Sequence, residues 1–245
     1  MIKTTKEIVR ERLIELSEAA RLRFRDAVLP IYGATDQGEP THIGSAILLD
    51  IAEGCFLLTA AHVIDWNKST SLFIGANSFL ELKQEILISA APGGDRSNDH
   101  VDFAIAPLGG DLLAKITNVR SVQETEISQY SGDTNLRTYA CLGYPNSKNK
   151  VNAYKGTKVV PSLGLYTSLG RPAAKLPGIA NNTDHVLVDY NAKYSRDDTG
   201  QRVNTISLHG FSGGAIIDVG KVSLDNLTEE PCPKLFLITH EPQPA

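Results

Sequence analysis

Three short segments carry residue types that, brought together, could support nucleophilic catalysis: Leu57-Leu58-Thr59-Ala60-Ala61-His62-Val63, His100-Val101-Asp102-Phe103-Ala104-Ile105, and His209-Gly210-Phe211-Ser212-Gly213-Gly214-Ala215. A serine hydroxyl is a poor nucleophile at neutral pH and needs an adjacent base. A neutral imidazole can take its proton and return it to a leaving amine. A carboxylate on the far side of the ring fixes the tautomer and stabilises the imidazolium formed in the transition state. Each segment also has a bland reading. A histidine after an apolar strand is often a core or surface residue. An aspartate before such a strand is often a turn residue, and Gly-Phe-Ser-Gly-Gly can be a flexible turn.

Taken together, the segments resemble the signatures of the trypsin-like (chymotrypsin-fold) serine proteases: Thr-Ala-Ala-His, Asp before an apolar strand, and Gly-x-Ser-Gly-Gly, in that family's order. The separations of 40 and 110 residues suit one β-barrel carrying His62 and Asp102 and a second carrying Ser212. The resemblance spans residues 31 to 240, and Gly143-Tyr144-Pro145 and Gly44-Ser45-Ala46 look like the bacterial and organellar branches of the family. It implies His62 as base, Asp102 as its orienting acid and Ser212 as nucleophile. It also implies that the N–H groups of Gly210 and Ser212 form the oxyanion hole, with Gly213 and Gly214 leaving room for substrate backbone.

The chain departs from the best-known secreted members at two places. Phe211 stands where those enzymes carry an aspartate that pairs with a newly cleaved amino terminus, so activation by N-terminal cleavage is not expected. The cysteines they place around the active-site histidine are missing too. Among residues expected to bind substrate, Ile206, six before the nucleophile, is placed at the floor of the primary pocket, which removes the usual counter-charge for Arg or Lys. The segment from Leu235 to His240 looks like the strand that pairs with substrate backbone by β-addition, with Thr239 in it. His240 either lines the pocket and favours an acidic side chain or is solvated at the strand end.

The family this chain resembles positions such a set on β-structure, and the sequence supplies it. Residues 4–28 contain no Gly or Pro and repeat Val9, Leu13, Leu16, Ala20, Phe24 and Ala27 at helical steps, with Thr4 and Glu7 as a capping box. An amphipathic helix packed on the body is the direct expectation, and a partner-binding helix the alternative. After Pro30 come short apolar, β-branched runs separated by Gly, Asn, Asp and Pro: Ile43–Leu49, Cys55–Leu58, Ser71–Ile74, Glu85–Ile88, Phe103–Pro107, Thr138–Gly143, Leu163–Thr167, Val186–Tyr190, Ala215–Val219 and Leu235–Thr239. The fold class predicted is all-β, two antiparallel β-barrels after an N-terminal helix. Residues 1–29 are the helix, 30–115 the first barrel and 116–245 the second, joined through the stretch from Gly109 to Asp133. Many relatives carry more strand and a helix beyond the position of His240, so either the N-terminal helix takes that packing role or the chain is a fragment.

Composition excludes several classes. With 42% hydrophobic and 21% charged residues the chain is ordinary globular material. A net charge of −4 with scattered Lys and Arg argues against nucleic-acid binding. No apolar run approaches the roughly 20 residues that cross a bilayer, and the charged N-terminus lacks an export signal. Cys55, Cys141 and Cys232 are too few and too irregular for a disulfide framework, which points to a reducing, cytoplasmic setting. The sequons at Asn67, Asn181 and Asn226 are read as chance. His62, His100, His185, His209 and His240 form no ligand-spaced pair, so neither metal nor cofactor is expected. The implied partners are a protein or peptide substrate and, if activity is held in check, a regulatory protein. Two rival readings fit parts of the same sequence. An α/β-hydrolase elbow would need Asp and His within the 33 residues after Ser212. A catalytically silent, protease-like binding module is the second.

Overall fold

The computed structural model describes residues 3–52, 54–76, 78–96, 99, 101–129, 137–150, 161–171, 185–191, 193, 195–196 and 201–238. It opens with helix α1, Thr5–Phe24, which starts as its capping box demands: the Thr4 hydroxyl accepts the Glu7 N–H, and the Glu7 carboxylate accepts the Thr4 N–H at 2.7 Å. The helix is shorter than its apolar period suggests. A 3₁₀ turn, Arg25–Ala27, ends it, and the chain passes directly into strand β1, Val28–Ala34. The apolar residue Ala27 thus belongs to the turn that leads into a sheet.

The first sheet is built from β1, β2 (Pro40–Ile51), β3 (Gly54–Thr59), β4 (Phe73–Gly75), β5 (Phe79–Glu81), β6 (Leu87–Ile88) and β7 (Ala104–Pro107), ordered β5-β4-β1-β2-β3-β7-β6. Between β3 and β4 lies the short helix α2, Ala61–Asp65; after β7 come α3, Gly110–Leu113, and β8, Val122–Gln123, which pairs with β2 in parallel. The second sheet has the order β11-β10-β9-β14-β15 and comprises β9 (Thr138–Gly143), β10 (Gly164–Arg171), β11 (Leu187–Val188), β14 (Ala215–Gly220) and β15 (Lys234–Ile238). The strands β12, Ser195–Arg196, and β13, Arg202–Val203, pair with each other. The expectation of two closed barrels is corrected here. Among the described residues both ladders are open paths, and their end strands are two to five residues long, which leaves few backbone pairs with which to close a ring. What stands is a mainly β molecule with two antiparallel sheets and an N-terminal helix.

Helix α1 lies across the seam of the two sheets. Leu16, Ala20 and Phe24 bury with Val28, Ile47, Leu49 and Val122 of the first sheet and Ala140, Leu142, Ala215, Ile217 and Leu235 of the second. Burying Leu16 and Phe24 alone stabilises this junction by roughly 1.5–3 kcal/mol per side chain. A second core, with Leu48, Leu57, Val63, Ile64 and Ala104, lies under the segments of His62 and Asp102. A third gathers Tyr139, Cys141 and Ile216 around Phe211.

Candidate functional site

Strand register brings the first two residues together. β3 runs antiparallel to β7 with Thr59 opposite Ala104, so the chain leaving β3 and the chain entering β7 meet at one end of the pair. His62 sits there in the first turn of α2, and Asp102 two residues before β7. The Ala61 N–H donates to the Asp102 carbonyl at 3.2 Å and fastens the two segments.

The Asp102 carboxylate, almost fully buried, faces His62 with both oxygens. Oδ1 accepts the His62 backbone N–H at 3.0 Å and Oδ2 lies 2.6 Å from Nδ1. A carboxylate in this position can only accept, so Nδ1 carries a proton, and in the neutral tautomer this fixes it is Nε2 that bears the lone pair. The ring is thereby set up as a base.

Asp102 holds an unusual backbone conformation, φ +39°, in the left-handed region that disfavours residues with a Cβ. A neighbouring acid holds it there. Asp99, itself buried, accepts the Asp102 N–H at 3.0 Å and the Val101 N–H at 3.1 Å through Oδ1, while its Oδ2 accepts from Ser89 Oγ and Arg96, each at 2.6 Å. Burial would raise the Asp99 carboxyl, but these donors outweigh it and hold the group below the usual carboxylate range. Arg96 also grips Asp65, the last residue of α2, at 2.8 Å. The guanidinium thus ties the helix of His62 to the loop of Asp102. This chain of charges is not evident in the sequence; the Asp-x-x-Asp spacing of Asp99 and Asp102, with a side chain able to cap the N–H three residues on, is its one local signal.

Ser212 arrives from the second sheet, three residues before β14. Its carbonyl accepts the Ser45 N–H of β2 at 2.8 Å. Gly213, φ +82°, lies so close to β3 that an added Cβ would stand 2.9 Å from the Ala60 nitrogen. Glycine is required at this approach on both counts. Ser212 therefore docks beside the segment that carries His62, through backbone contacts rather than through a hydrogen bond of its hydroxyl to the imidazole.

The turn before Ser212 is a type II turn. Phe211 N–H closes on the Leu208 carbonyl at 2.8 Å, and Gly210 stands at the third position with φ +92°. The His209 carbonyl accepts the Asn146 N–H at 2.7 Å, and the Gly210 carbonyl accepts Ser45 Oγ at 2.8 Å. Among the described residues, neither the Gly210 nor the Ser212 N–H donates to another protein group. Among the described residues, two backbone donors are thus left open beside one hydroxyl.

The remaining expected residues fall out as follows. Phe211 is buried in the third core, its ring packed against Gly143 and Gly164. Ile206 is half-buried in the same cluster, its Cδ1 also against Gly164. Thr239 and His240 lie outside the described residues. Among the described residues no three His, Cys, Asp or Glu side chains gather as a metal site, and no helix is long and apolar enough to cross a membrane. The three cysteines are free thiols. No protein-family model matches the chain, and no curated protein matches it.

Proposed function

We propose that the chain is a serine endopeptidase with the trypsin-like fold, using His62, Asp102 and Ser212 on extended segments of protein substrates. One observation carries the reading: a buried carboxylate holds the imidazole by both ring N–H and backbone N–H, at the edge where a Gly-flanked serine with two open backbone N–H groups docks. In this reading His62 Nε2 takes the Ser212 proton as Oγ attacks the carbonyl carbon. The oxyanion forms against the N–H groups of Gly210 and Ser212. The protonated imidazole, stabilised by Asp102, then gives its proton to the departing amine, and water repeats the sequence on the acyl-enzyme. In this reading the hydroxyl and imidazole come into hydrogen-bonding reach when substrate binds, since catalytic hydrogen bonds commonly tighten at that point. The free thiols fit work in a reducing compartment.

Labelling of the folded protein with a fluorophosphonate probe tests the proposal. The expected adduct is on Ser212, abolished by Ser212→Ala, and His62→Ala lowers turnover by about 10⁴-fold or more, as for groups that act as a unit. An intact protein that stays unlabelled would instead favour a silent module that binds peptides without cutting them.

A further inference from the structure

The peptide that joins His209 to Gly210 decides whether the Gly210 N–H is available to an oxyanion. In a planar trans peptide the C=O and N–H point in opposite directions. With the His209 carbonyl held by the Asn146 N–H, the Gly210 N–H must leave the turn on the other side. Flipping this one peptide would convert the turn to type I and swing the carbonyl to the side the N–H now occupies. The next peptide, Gly210 to Phe211, is fixed twice, by Ser45 Oγ on its carbonyl and by Leu208 on its N–H. The 209–210 peptide has the Asn146 N–H as its anchor.

Asn146 is in turn held from the first sheet. Its Oδ1 lies 2.5 Å from His42 Nδ1 on β2, and as Oδ1 can only accept, the proton is on Nδ1. The His42 ring packs edge-on against Tyr32, with centroids 5.3 Å apart, and is buried, with no hydrogen-bond partner for Nε2 among the described side chains. Burial pushes the imidazole below the usual histidine range, against the pull of Asn146 and the Gly44 backbone, so the ring is neutral at pH 7, with its proton on Nδ1 toward Asn146. The same pair walls the glycine: a Cβ on Gly210 would meet His42 Cε1 at 2.8 Å and the Tyr144 carbonyl at 2.6 Å, and would collide with Asn146 Oδ1.

We infer that His42 and Asn146 are positioning residues that lock the 209–210 peptide with the Gly210 N–H turned toward the nucleophile, so that the first sheet controls the oxyanion hole built by the second. The inference rests on the protease reading. Neither residue touches the reacting atoms.

The test compares His42→Leu, which removes the donor, with His42→Asn, whose amide nitrogen can take the place of Nδ1 and dispenses with the unpartnered ring nitrogen. Losing an oxyanion donor costs about 10²- to 10³-fold, so partial loss of the lock in His42→Leu should lower kcat on a peptide substrate by roughly 10- to 100-fold. KM should be unchanged within about twofold, and fluorophosphonate labelling should slow in parallel, because only the transition state uses the hole. His42→Asn should recover most of the rate. Crystal structures of both variants should show the peptide flipped or split in His42→Leu and in place in His42→Asn. If His42→Leu fails to fold, Asn146→Ala removes the acceptor and should give the same kcat loss. Full activity in His42→Leu, or equal loss in both His42 variants with the peptide unmoved, overturns the inference. If the wild-type protein is not labelled, the protease reading fails, and the peptide orientation in the two crystals still decides whether the lock exists.

Discussion

Asp99→Ala should disable the site from a distance, and the structure sets the scale. Asp102 at φ +39° carries a left-handed strain of about 1–2 kcal/mol. Against it stand two N–H bonds to the Asp99 carboxylate, from Val101 and Asp102, and hydrogen bonds to a charged partner contribute about 1.5–3 kcal/mol each. Removing the carboxylate leaves the strain with no counterweight and strips Arg96 of one of its two acid partners. Allowing for relaxation and water entry, a net shift of about 1.5–3 kcal/mol toward a relaxed loop is expected, or roughly 10- to 100-fold in kcat/KM at 1.4 kcal/mol per decade. Asp99→Asn keeps an oxygen for the backbone N–H groups and should lose much less. The assay is kcat/KM on a fluorogenic peptide for Asp99→Ala, Asp102→Ala and the double variant. Once Asp102 is gone, deleting Asp99 should cost almost nothing further, since it acts only through that residue. A fall in Tm with kcat/KM unchanged within twofold, or fully additive losses in the double variant, would refute the reasoning and reduce the Arg96 network to a structural brace.

Two further outcomes follow from the same geometry. Gly210→Ala places a Cβ on a residue with φ +92° and against the Tyr144 carbonyl, so it should abolish labelling of Ser212 and destabilise the fold by at least about 1–2 kcal/mol, read from urea melts; a labelled, stable variant would contradict the turn described. Glu126 has a carboxyl that burial would raise, but bonds from Arg120, the Gln123 N–H and Arg23 bring it down to about 2. A folded-state value below the unfolded one contributes stability that is complete above the ordinary carboxylate range and is lost as pH falls toward 2; the scale is roughly 2–3 kcal/mol. Because Arg23 belongs to α1, Glu126→Gln should flatten the decline of stability between about pH 5 and 2 and loosen the helix first, by hydrogen exchange; an unchanged pH profile would refute it.

How legible this was in the sequence depended on the range of the interaction. The cap of α1 was readable because Thr4 and Glu7 satisfy each other within one turn. Strand Thr138–Gly143 was readable because it is buried along its whole length and bounded by turn residues. Strand β1 was not, since Pro30 and Gly33 interrupt its apolar run; Pro30 is tolerated opposite Ser45, and the neighbouring Ile31 and Tyr32 pair with β2 and β4. The short strands β5, β12 and β13 were also invisible, because two or three residues give no period to detect. Closed barrels were expected from a resemblance, and such a resemblance speaks to motif residues rather than to the number of backbone pairs at a sheet edge.

For the candidate site, His62, Asp102 and Ser212 were legible as residue types that could do chemistry, and the residues that hold them were not. His62 and Asp102 stand in short segments whose types point to one reaction, and the β3–β7 register then brings them to hydrogen-bonding distance. Asp99 and Arg96 lie in a polar stretch that reads as solvated surface, and only the fold turns them inward toward Asp65 and the Asp102 N–H. His42 lies on β2, and Asn146, 104 residues on, lies in the turn that follows β9. A lone histidine before Gly44-Ser45 carries no signal of its own. Its buried ring acquires meaning only through its hydrogen bond to Asn146, whose own N–H holds the turn before Ser212. Groups that react are constrained in type by chemistry, whereas groups that position them are constrained mainly by where the chain has already gone, and any donor at the right point would serve. The His42→Asn variant puts that distinction to the test, because it changes the residue while keeping the donor.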